Sequence, residues 1–332
     1  MLSLDVEGVY GKLAGPLTHG ADFAELFFED KDETRIDSDG ERVTSASRTH
    51  MHGAGLYLLN GVETRYAYTN DTTPRGVGEL AGGMASRLAW TEPAPARSGL
   101  PELRERSFAD PNEIAQDPVG VPMERKRARL LEACRKARGF DPRIVDARAD
   151  YQDRVQDVAV VNSEGLLARE RRVTTTLRLY VTAADGARGN YSWSNYSASE
   201  GFEFVDDEER LAAMVAKTCT AAIRGLDARS VAPEVMPVVV DSGTFIHEDC
   251  GHPLESTHLA GGQSVFYGKI GQQVASPLVT ILDDGTRPRL CGSHAMSDEG
   301  VASAPNLLIE DGILRGYMVD RLGSRQLGMA QT

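Results

Sequence analysis

Residues His247-Glu248-Asp249-Cys250-Gly251-His252 set two imidazoles around a carboxylate, the residue types from which a zinc hydrolase is built. Neutral imidazole is a good zinc ligand, and an adjacent carboxylate can take a proton from water as that water attacks a carbonyl. In the common HExxH arrangement the histidines are four residues apart and leave a helix on one face. Here they are five apart. At about 100° per residue, a five-residue step puts the second ring roughly 140° around an ideal α-helix from the first. Rings so placed cannot share an ion at ~2.0–2.1 Å. A π-type turn absorbs one extra residue and returns positions i and i+5 to the same face. Gly251 eases such a distortion, and Pro253 limits regular hydrogen bonding just beyond it. The spacing alone is a weak signal, and taken by itself it favours a His247 that caps a helix start while His252 and Glu248 are solvated or paired. A thiol nucleophile at Cys250 with His252 as its base is a second enzymatic reading. Side chains two apart on a helix diverge, however, and no orienting Asn or Asp is identifiable.

The elements around this motif read as an α+β fold. An N-terminal α+β domain over 1–91 starts with a helix to about residue 20, followed by a strand opening at Ala24 and a hairpin around Asn60-Gly61, then a helix over Gly76 to Leu88. Residues 92–122, with prolines at 93, 95, 101, 111, 118 and 122, read as a linker. The middle α+β domain, 123–229, opens with a basic helix from Met123 to Arg138. Strands are expected at Ile144 to Gln152, Asp157 to Asn162 and Val173 to Ala183, then a helix over Asp206 to Leu226. A β-rich C-terminal unit, 230–332, carries the site helix directly after a buried strand that begins at Met236. Further strands are expected at Val279 to Leu282, Leu307 to Ile309 and Ile313 to Arg321, with no terminal helix.

Composition narrows the function. Of 332 residues, 41% are hydrophobic and 26% charged, ordinary for a globular protein. No apolar run approaches the ~18 residues that span a bilayer, and the N-terminus has no basic-then-apolar leader, so a cytoplasmic location without membrane contact is expected. The balance of 36 basic against 49 acidic residues, a net charge of −13, disfavours a nucleic-acid partner. The basic run Arg125 to Arg138 has helical spacing and reads as a solvated face. Cys134, Cys219, Cys250 and Cys291 form no CxxC pair, hence neither a disulfide scaffold nor a zinc ribbon.

FIHEDCGHPLE, SVFYGKIGQQVASPLVTILDDGT and DEGVASAPNLLIEDGILRGYMVDRL resemble the TldD/PmbA family of gyrase-modulator and metallopeptidase proteins. So do GADFAELFFED, GAGLYLLNG, AYTND and VVNSEG further upstream, so the resemblance covers nearly the whole chain. It implies a zinc-dependent peptidase acting on small or unfolded polypeptides, with His247 and His252 as ligands and Glu248 as general base. The family's Leu-Glu pair falls on Leu254 and Glu255, and Glu255 would orient an imidazole N–H. Peptide substrate is expected to add as a strand at a sheet edge. A homodimer, or a heterodimer with a family partner lacking HExxxH, is implied. The alternative is a catalytically silent partner subunit or peptide-binding protein. The family's third ligand is a cysteine downstream of Thr332. The resemblance therefore implies an incomplete C-terminal metallopeptidase domain that binds zinc weakly by itself, with His258, Cys291 and His294 as substitutes within the chain.

Overall fold

The computed structural model describes residues 4–97, 99–239 and 247–332. The chain opens with α1 (Val6–Tyr10), a 3-10 turn and α2 (Ala14–Thr18), followed by β1 (Phe23–Ser38), β2 (Val43–Asn60), β3 (Glu63–Thr69) and α3 (Pro74–Ala85). A short β4 (Arg104–Arg106) precedes α4 (Met123–Arg138). Then come β5 (Ile144–Asn162), β6 (Leu166–Asp185), β7 (Arg188–Ala198), α5 (Glu203–Asp206) and α6 (Glu208–Gly225). These strands form one sheet in the order β3-β2-β1-β5-β6-β4, with β7 also on β6; every pair is antiparallel except β4 with β6. The α+β class with antiparallel strands is the one expected. A two-residue loop closes the β2–β3 hairpin, with Gly61 at φ +57°, where a side chain would be strained.

Alternation along the long strands puts Leu26 and Ile36 of β1 on the same face, and that face carries two separate helical layers. At one end α1, α2 and α3 bury Leu26, Phe28, Leu56, Leu58 and Val161. At the other, α4 and α6 bury Ile36, Tyr151, Leu177, Leu179 and Val181. Between them the same face carries polar residues, among them Asp30 and Asp32 of β1 and His50 and His52 of β2.

The reading of two strands at Ile144 to Gln152 and Asp157 to Asn162 is corrected: β5 runs unbroken. The polar stretch at 153–156 stays in the sheet because Lys126 Nζ reaches Asp153 at 2.5 Å and Thr34 Oγ1 at 3.2 Å, so the buried carboxylate is compensated. The expected buried strand from Met236 is not formed over 236–239. Val238 and Val239 are exposed, and among the described residues no strand pairs with them; the remainder of that reading lies outside the described residues. Within the stretch read as a linker, β4 joins the sheet.

The C-terminal part contains α7 (Ser256–Ala260), β8 (Ile281–Asp284), β9 (Pro305–Glu310), β10 (Ile313–Leu314) and α8 (Arg321–Leu327), with the three strands in the order β10-β9-β8. The expected last strand thus ends at Leu314, and the expectation of no terminal helix is corrected by α8. Asp320 caps its start by accepting from the Gly323 N–H, and Gly328, in the left-handed conformation, ends it. Arg325 of α8 holds Asp22 at 2.7 Å and the Gly61 carbonyl at 2.8 Å, while the Arg321 guanidinium lies 3.9 Å from the centre of the Phe23 ring. Among the described residues no helix is long and apolar enough to cross a membrane.

Glu25 lies under this junction, and burial, reinforced by the nearby Glu299 carboxylate, pushes its pKa up to about 8. Arg321 and the Asn162 amide pull the other way. A carboxyl raised above its unfolded value stabilises the fold fully only below that unfolded value, and the contribution is lost as pH rises towards 8. Glu25→Gln is therefore expected to raise Tm by several degrees at pH 8.5, the gain shrinking as pH falls towards 4, roughly a few kcal/mol in stability at the alkaline end. Equal Tm values for variant and parent across that range, measured by thermal denaturation, would show that folding does not raise the Glu25 pKa.

Candidate metal centre

Residues His247–Gly251 form a π-helical turn, followed at once by a 3-10 turn over His252–Leu254 and then α7. The π turn supplies the extra residue that a five-residue interval needs. As a result the His247 and His252 rings stand 4.3 Å apart between centroids, at 63° to one another. Ligand atoms of His247, Glu248 and His252 all lie within 4.8 Å of each other. His247 and Glu248 are exposed and His252 is about half-buried, so the group faces solvent.

Gly251 has a local reason to be glycine. A Cβ built on it would stand 2.7 Å from His247 Nδ1, inside contact distance, so the absence of a side chain is what lets the first ring fold back over the turn. Glu255 takes extended backbone geometry, which ends the 3-10 turn, and its carboxylate Oε1 lies 3.0 Å from His252 Nδ1. A carboxylate only accepts, so Nδ1 carries the hydrogen and the lone pair of His252 is on Nε2. The other carboxylate oxygen is 3.7 Å from His258 Nδ1. That separation is too long for a hydrogen bond, and His258 stands outside the three-residue group, its ring 5.7 Å from that of His252.

The turn is anchored from beneath. Leu254 is fully buried with Leu308, Ile309, Leu314 and Tyr317, and Cys250 packs against the same cluster. Met318 N–H donates to the Leu254 carbonyl at 2.9 Å, and Ser256 N–H donates to the Met318 carbonyl at 2.8 Å, on either side of Glu255. Ser256 Oγ donates to Asp320 at 2.7 Å, and α8 approaches so closely that a Cβ on Gly323 would overlap Ser256. Cys291 and His294, the other candidates within the chain, are not brought to the group: Ser197 Oγ donates to Cys291 Sγ at 3.1 Å, and His294 Nδ1 lies 2.7 Å from the Gly292 carbonyl.

A second group of ligand-type residues, Asp30, His50 and His52, was not singled out from the sequence. Its signal is the shared alternation of Asp30-Lys31-Asp32 and His50-Met51-His52, which becomes meaningful only once the register between β1 and β2 is known.

Three family models match in chain order: PmbA/TldA metallopeptidase domain 1 over 24–86, the central domain over 116–226 and the C-terminal domain over 233–332. A metalloprotease TldD homolog of Haemophilus influenzae is 31% identical over 94% of this chain and 66% of its own length. A metalloprotease of Methanothermobacter thermautotrophicus is 31% identical over 65% of this chain and 47% of its own length. The chain thus spans about two thirds of the former and about half of the latter. Among solved structures, TldE from Thermococcus kodakarensis superposes with a TM-score of 0.74, covering 98% of this chain and 72% of that one, at 16% identity. A Bacteroides thetaiotaomicron protein described as a candidate modulator of DNA gyrase superposes at 0.77, also at 16% identity, over 98% of this chain and 74% of that one. These two likenesses speak for the fold. With three consecutive domain models and an H. influenzae relative aligned along nearly the whole chain, the protein belongs to the PmbA/TldD metallopeptidase family.

Proposed function

We propose that the chain is the metal-bearing subunit of a zinc-dependent peptidase of the TldD type, with His247 and His252 as ligands and Glu248 as general base. The observation that carries this reading is the π turn, which gathers two imidazoles and a carboxylate within 4.8 Å despite their five-residue spacing. The donor set suits zinc: His252 is held by Glu255 with Nε2 free to bind, and Gly251 leaves room for His247 to turn towards it. When bound, zinc supplies Lewis acidity towards a peptide carbonyl and makes a nearby water more acidic.

Glu248, exposed beside the two rings, would take a proton from the attacking water and return it to the leaving amine. Glu255 holds the His252 ring in one orientation throughout. Substrates are small or unfolded polypeptides, which can add as a strand along β8, an edge of the three-stranded sheet. A cleft of ≈ 410 Å³ whose lining includes both Glu255 and Asp283 of β8 supports that placement. The partner is a second family chain, and the likeness of fold to TldE supports such pairing.

Glu248→Gln in the full-length protein is expected to lower hydrolysis of an unstructured polypeptide such as casein by about 10²- to 10⁴-fold. Its zinc content by elemental analysis should stay unchanged; undiminished turnover would remove Glu248 from the mechanism. Gly251→Ala forces the His247 ring aside and is expected to weaken zinc binding about tenfold or more in a calorimetric titration. Wild-type affinity in that variant would mean that His247 is not a ligand. In light scattering, the protein mixed with a family chain lacking HExxxH is expected to run as a dimer. A monomer under all conditions would contradict the pairing.

A further inference from the structure

We propose that the sheet carries a second divalent-metal site, built from Asp30, His50 and His52 with Asp32 beside them, and distinct from the π-turn group. The antiparallel register sets Asp30 opposite His52 and Asp32 opposite His50, and the strand period of two turns all four side chains to the face that carries the helical layers. They occupy the gap between those layers.

The spacing is that of a coordination shell. Ligands at ~2.0–2.1 Å from a tetrahedral zinc ion lie about 3.4 Å from one another. Here Asp30 Oδ2 is 3.2 Å from His52 Nδ1, Asp30 Oδ1 is 3.6 Å from His50 Nδ1, and Asp32 Oδ1 is 3.7 Å from His50 Nδ1. Both imidazoles turn the same ring nitrogen towards the aspartates, and the rings lie nearly parallel, 11° apart with centroids at 6.4 Å. His52 is held in this orientation by Thr72, whose Oγ1 lies 2.8 Å from Nε2. That contact leaves Nδ1 as the nitrogen directed at the carboxylate, the arrangement in which a metal-binding histidine is oriented through its other nitrogen.

Charge points the same way. Arg48 reaches Asp32 at 3.2 Å, and Arg171 neutralises Asp157, the residue opposite Asp30 on β5, at 3.0 Å. Asp30 faces the two imidazoles, and that set of nitrogen and oxygen donors suits a divalent cation, zinc above all. Such an ion would clamp β1 to β2 and, through Thr72, to the segment that leads into α3.

The test is zinc binding to the 332-residue chain in which the π-turn group is disabled by His247→Ala and His252→Ala. Calorimetric titration is expected to show one zinc per chain, and adding His50→Gln and His52→Gln is expected to weaken that binding by at least about tenfold. Absence of binding in the first variant, or unchanged affinity in the second with unaltered far-UV circular dichroism, would overturn the proposal. As a second measurement, elemental analysis of the otherwise unaltered chain should lose one zinc equivalent on His50→Gln and His52→Gln together. An unchanged zinc count would overturn the site irrespective of how the π-turn group behaves.

Discussion

Two histidines separated by five residues fit no α-helical face, and the C-terminal part of this protein is organised around that mismatch. The π turn resolves it at the cost of regular helix, and a short isolated turn needs support from elsewhere. Leu254 supplies that support from below by burial in a small apolar cluster, and the backbone bonds from Met318 to Leu254 and from Ser256 to Met318 hold the turn's exit. Glu255 is fixed between those two bonds, so its contact with His252 is a consequence of the anchoring. The same anchoring reaches the sheet: Ser256 binds Asp320, Asp320 caps α8, and Arg321 and Arg325 of α8 grip Phe23, Asp22 and Gly61. A chain of direct contacts therefore joins the candidate metal centre to the large sheet.

The sheet imposes a second constraint. Strands of 16 to 20 residues are longer than one helical layer covers, as β1, β2, β5 and β6 show. Two layers share the face, and the space between them is filled by residues that tolerate water or pair with one another. Lys126 with Asp153 beneath α4, and the Asp30–His52 contact in the gap, are two solutions to the same problem at different depths. The first is almost wholly buried and the second about one-third exposed. Burial decides the difference, because an unpaired charge is costly only where water cannot reach it.

Much of this was legible in the sequence where local signals were strong. The helix over Met123 to Arg138 matches α4 at both ends, because its period and its flanking Pro122 and Gly139 agree. The hairpin at Asn60-Gly61 was likewise marked by its own residues. The unbroken β5 was not legible, since the polar stretch around Asp153 belongs to a strand only through Lys126, which comes from a different element. The α8 helix was missed although Asp320 and Gly328 announce it; seven residues are too few to show a period. At the candidate site, the need for a π turn followed from counting residues, and the Leu-Glu pair pointed to Glu255. The contact of Glu255 with His258 did not follow, because it depends on how Glu255 is pinned against Met318. The His50 and His52 group required the register of β1 against β2, which no single strand carries.

The assignment of the π turn as a metal centre is tested most directly by anomalous diffraction at the zinc edge, on crystals of the protein grown with zinc. The expected result is a peak within about 2.1 Å of ring nitrogens from both His247 and His252, with Glu248 adjacent and Glu255 still on His252 Nδ1. Absence of any peak between those two rings at full zinc occupancy elsewhere in the crystal would contradict it.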